Sequence, residues 1–92
     1  LGTIMTTIEY CDKLTLSIKM RYGIEASRAP PNQIFPSHSE ALAHALWLID
    51  QSKGDWDDPN RADARLRFVE GILWAVGCFS ADTIAKLRSG TI

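Results

Sequence analysis

Four stretches of the chain carry apolar positions at regular spacing, and the links between them carry the residues that end helices. The clearest is SHSEALAHALWLIDQSKG, residues 37–54. Ser37 and Glu40 have the spacing of a capping box and Lys53-Gly54 closes the segment, so a helix is written at both ends. Ala41, Leu42, Ala45, Leu46, Leu48 and Ile49 form its wide apolar face. After the link DWDD, Asp58 is placed to cap and Pro59 to start a third helix running to about residue 76. Its stripe is Ala62, Leu66, Val69, Ile72, Leu73 and Val76, with Arg65 lying among them; Ala64, Gly71 and Ala75 make a second strip of small side chains. Gly77 stops that helix. Ser80 caps a short fourth one, and Asp82 sits in its first turn, where the helix dipole favours an acid.

The first segment, TTIEYCDKLTLSIKMRYGI, fits two periods. Leu14, Leu16, Ile18, Met20 and Tyr22 alternate with Lys13, Thr15, Ser17, Lys19 and Arg21, as in a half-buried strand, which would make residues 3–22 a β-hairpin. Against this, Thr6 and Glu9 have capping-box spacing, and KMRYGI reads as a basic last turn, a stop glycine and the apolar residue of a Schellman motif. The helix is favoured: Ile8, Cys11, Leu14, Ile18 and Tyr22 then share one face, at the cost of placing Leu16 and Met20 opposite. The link EASRAPPNQIFP holds three of the four prolines and predicts an extended connection, with Ile34 and Phe35 tucked into the core. The expected architecture is all-α, a bundle of three to four helices forming a single domain over residues 1–92.

Composition narrows the setting. A chain of 92 residues has room for one compact core. No apolar run approaches the roughly 18–20 residues that span a bilayer, so a soluble protein is expected. Two cysteines are too few for a disulfide scaffold, and the start lacks the features of a signal peptide, which together predict a cytoplasmic setting. Met5-Thr-Thr reads as a natural start, which would make Leu1 to Ile4 extraneous. The net charge of −1 supplies no general attraction for a polyanion.

Candidate chemistry is sparse. His38 and His44, six residues apart on a helix, diverge by about 120° and read as surface histidines rather than metal ligands. Asp50, Asp55, Asp57 and Asp58 lack calcium-loop spacing; Asp58 is better used as a cap and the others as solvated charges. Cys11 and Cys78 fall on apolar segments and have no base placed beside them, so they read as small hydrophobes. No enzyme activity, cofactor or metal is expected. Arg65 either snorkels to the core's edge, the favoured reading, or pairs with a carboxylate such as Asp12 or Asp50.

Residues 65–90 have the outline of a DNA-reading helix-turn-helix, with Lys86 and Arg88 on the second helix. The commonest form of that motif has alanine four residues before the turn glycine and an apolar residue six after it. Here Leu73 and Thr83 hold those positions, so a bundle corner is the better reading. Trp47 and Trp74 both project away from the main apolar faces. They meet in a second layer, or they belong to a surface that needs a partner; aromatics at the centre of interfaces dominate binding. The candidate partner-binding residues are Trp47, Phe68, Gly71 and Trp74.

The stretch RFVEGILWAVGCFSADTIAKLR resembles the C-terminal end of small accessory, early-region proteins of tailed bacteriophages and prophages, through Phe68, Gly71, Ile72, Leu73 and Trp74, then Thr83, Ile84 and Leu87. The resemblance implies a non-enzymatic product that binds and inhibits a host protein. The expected function is therefore a protein-binding module whose partner is a host protein or a second copy of the chain. A DNA-binding regulator is the alternative.

Overall fold

The computed structural model describes residues 6–34, 36–55 and 57–91. Four helices follow in order: α1 (Thr7–Tyr22), α2 (His38–Lys53), α3 (Pro59–Ala75) and α4 (Ala81–Ser89). The described residues contain no strand, so the hairpin alternative for the N-terminal segment is overturned there. Residues 1–5, Phe35, Trp56 and Ile92 lie outside the description, and with them the expectations for Leu1 to Ile4 and for Phe35.

Local signals at the termini explain why α1 is a helix. The Thr6 hydroxyl accepts from Glu9 N–H, while Gly23 takes the left-handed conformation (φ 64°) and donates to the Lys19 carbonyl. Of the alternating residues, only Leu14 and Ile18 are buried; Leu16 and Met20 face outward. Ile8, assigned to the inner face, is half exposed, and the inner face is completed instead by Tyr10. At α2 the full capping box forms, with Ser37 and Glu40 satisfying each other's backbone N–H groups.

The core joins Cys11, Leu14 and Ile18 of α1 to Leu42, Leu46 and Ile49 of α2, Leu66, Val69 and Leu73 of α3, and Ile84 and Leu87 of α4. Cys78 seals the α3–α4 corner. The α2–α3 seam is the broadest of the helix contacts, since α2 and α3 are long neighbours joined by a tight link. Ile34 departs from expectation. It is 77% exposed, because the proline-rich connection passes along the outside of α2 rather than over the core.

The link between α2 and α3 is fastened by Asp55, expected to be solvated but buried here. Its carboxylate binds Arg65 of α3 and lies 3.6 Å from Arg61. Arg65 thus pairs with a carboxylate rather than snorkelling, but the partner is Asp55, not Asp12 or Asp50. The nearer carboxylate in the turn takes it, and Asp12 instead pairs with Lys53 at 2.5 Å. No described helix is long and apolar enough to cross a membrane.

Candidate partner surface on the third helix

The core stripe of α3 leaves an opposite side bare. Phe68 and Trp74 stand there 61% and 64% exposed, three residues before and three after Gly71. Ala64 and Ala75 are exposed on the same helix. Gly71 lies in regular helix without a positive φ, and a Cβ built on it would meet nothing within 4 Å among the described residues. The fold of this chain therefore has no use for a glycine there, and a mid-helix glycine costs stability. Gly71→Ala is expected to stabilise the protein by about 0.5–1 kcal/mol, seen as a melting midpoint raised by a few degrees. A lowered midpoint would show that the position is packed after all.

Beside this strip, α3 and α4 enclose a shallow groove of roughly 390 Å³. Gly71 and Trp74 line it from α3, and Ala81, Ile84 and Ala85 line it from α4. Arg67, Glu70 and Arg88 supply its polar part. The surface is mainly apolar, with one large aromatic that is not folded away.

A charged clasp joins α3 and α4 beside this groove. Glu70 Oε2 accepts from the Tyr10 hydroxyl of α1 at 2.5 Å and from Arg88 Nε of α4 at 2.8 Å. The Arg88 guanidinium also reaches Asp63 at 3.3 Å and lies over the Tyr10 ring, 5.3 Å from its centroid. Burial, then the hydrogen bond to Glu70 and its charge, push the Tyr10 phenol well above its ordinary range, so it remains a donor. No local pattern announces this network, because Tyr10, Glu70 and Arg88 come from three different helices.

Trp47 does not join Phe68, Gly71 and Trp74. It lies half-buried on the outer side of α2 under the chain's own connection, with Arg28 5.3 Å from its ring centroid and His44 stacked against it at 5.6 Å. Trp47 and Trp74 thus belong to separate sites, not to a shared second layer. His44, read from the sequence as a surface histidine, is partly buried, and its Nδ1 accepts from Ala29 N–H at 3.1 Å. His38 is exposed at the start of α2.

Other chemistry has little to build on. Among the described residues, no three His, Cys, Asp or Glu side chains converge as metal ligands would. Cys11 is fully buried and burial pushes its thiol up to about 11; burial also raises that of Cys78. On α4, Lys86 pairs with Asp82 at 3.1 Å, while Arg88 is held by Glu70 and Asp63. Comparison of the chain with protein-family models, with curated proteins and with solved structures finds no match.

Proposed function

We propose that this protein is a non-enzymatic binding module that acts by covering the surface of a protein partner, with Phe68, Gly71 and Trp74 as the contact. The observation that carries the reading is the pairing of two exposed aromatics with a glycine that the fold itself does not require. An aromatic anchor contributes most when it enters a partner's pocket, and an open glycine lets a partner helix approach its backbone closely. In keeping with the C-terminal resemblance, the proposed setting is a phage or prophage accessory protein acting on a host protein in the cytoplasm. Trp47, covered by the connection, is left out of this contact.

The alternative, a DNA-binding regulator, would use α4 as its recognition helix. The part-buried pairing of Arg88 with Glu70 weighs against it, since a phosphate contact would have to break that pair. A single comparison tests both. Gly71→Trp fills the strip without touching the core, so its melt should match or exceed that of the wild type. Host proteins retained by the immobilised wild type should be lost from this variant. Equal capture by both, or duplex DNA binding that weakens steeply with added salt, would overturn the proposal.

A further inference from the structure

The connection between α1 and α2 is pinned along the outside of α2 at several points. Ser27 N–H donates to the Ala43 carbonyl at 3.0 Å and Gln33 Nε2 to Glu40 Oε2 at 2.9 Å. Between them Ala29 N–H donates to His44 Nδ1, and Arg28 covers Trp47. Among its described residues, apart from Ile24, which packs on the core at its start, the side chains are largely exposed; Arg28, Pro30, Pro31 and Ile34 are all exposed. Segments with few buried contacts detach without global unfolding.

We propose that this connection is a pH-gated strap: the neutral imidazole of His44 holds it closed over Trp47, and protonation of that ring releases it. The bond from Ala29 requires a lone pair on Nδ1, which places the ring's proton on Nε2. A proton added at Nδ1 turns an acceptor into a donor facing another donor, so the bond is lost. The new positive charge also faces Arg28 on the strap. Glu40, one turn earlier on α2, is the nearest acidic group along the helix, but its oxygens are engaged by Ser37 N–H and Gln33. Glu25, at the strap's start, leans toward Lys19 of α1 at 3.9 Å.

Partial burial, and then the charge of Arg28, hold His44 below its ordinary value of 6.5. With the folded value depressed, the stabilisation is complete above the unfolded value and fades as the pH falls through the folded one.

Amide exchange followed by NMR tests this. Between about pH 7.5 and about pH 5, Ala29 protection, corrected for the intrinsic pH dependence of exchange, is expected to fall progressively. The α3 amides should keep theirs, and the Ala29 midpoint should coincide with titration of the His44 ring. His44→Asn, which keeps an acceptor near the position of Nδ1 but does not titrate, should stay closed throughout. His44→Ala should open the strap even at neutral pH and speed tryptic cleavage after Arg28. Constant Ala29 protection while His44 titrates would overturn the proposal, as would acid opening of His44→Asn to the wild-type extent.

Discussion

Replacing Glu70 with leucine is expected to cost about 2–4 kcal/mol of folding stability and to loosen α4 before the other helices. The substitution removes the one oxygen shared by Tyr10 and Arg88, leaving a buried hydroxyl and a guanidinium without their main acceptor. The Arg88 side chain retains 29% exposure, so water compensates part of the loss and the lower half of that range is favoured. For a domain of this size the melting midpoint should fall by about 10–20 °C. Glu70→Gln keeps an oxygen acceptor and should lose about half as much. Chemical denaturation of both variants, with amide exchange across residues 81–89, checks the expectation. A leucine variant within about 0.5 kcal/mol of wild type would mean that apolar packing of Ile84 and Leu87 alone holds α4.

Trp74→Ala is expected to weaken binding of the partner by about 2 kcal/mol or more, some thirtyfold in Kd, while changing folding stability by no more than about 1 kcal/mol. Exposure decides this split. A tryptophan filling a second core layer would cost about 3–5 kcal/mol of stability on truncation, but one that is 64% exposed has little packing to lose. Melting and association measured on the same variant separate the two. A large stability loss with unchanged binding would remove Trp74 from the contact surface.

The helices were legible in the chain where their ends are marked by short-range chemistry. Thr6, Ser37, Asp58 and Ser80 each cap through a side-chain oxygen that accepts an N–H three residues on, and sequence spacing alone reports such contacts. The alternation in α1 was ambiguous because its polar and apolar residues satisfy both periods from Lys13 onward, and only the terminal signals break the tie. What stayed hidden depends on residues far apart in the chain. Tyr10 shares its helix face with Leu14 and Ile18, but nothing nearby in the chain says that Glu70, sixty positions later, accepts its hydroxyl. Trp47 was correctly placed off the main face of α2, but nothing in the sequence says that the proline-rich connection lies across it. Asp55 looked solvated because its burial follows from how sharply the chain turns between α2 and α3. Phe68, Gly71 and Trp74 fall together on α3 for the opposite reason: helical geometry alone sets which of its residues are left outside the core.

The two fastenings of the bundle also differ in when they become available to a folding chain. The Asp55–Arg65 clip closes a loop of ten positions, whereas the Tyr10–Glu70 bond closes one of sixty. The longer closure costs about 1.6 kcal/mol more in chain entropy. Contacts between sequence neighbours therefore come first, and the α2–α3 pair is the natural nucleus onto which α1 is later drawn. Since Glu70 is needed by both Tyr10 and Arg88, the clasp on α4 is complete only once α1 has docked, and assembly runs from the middle of the chain outward.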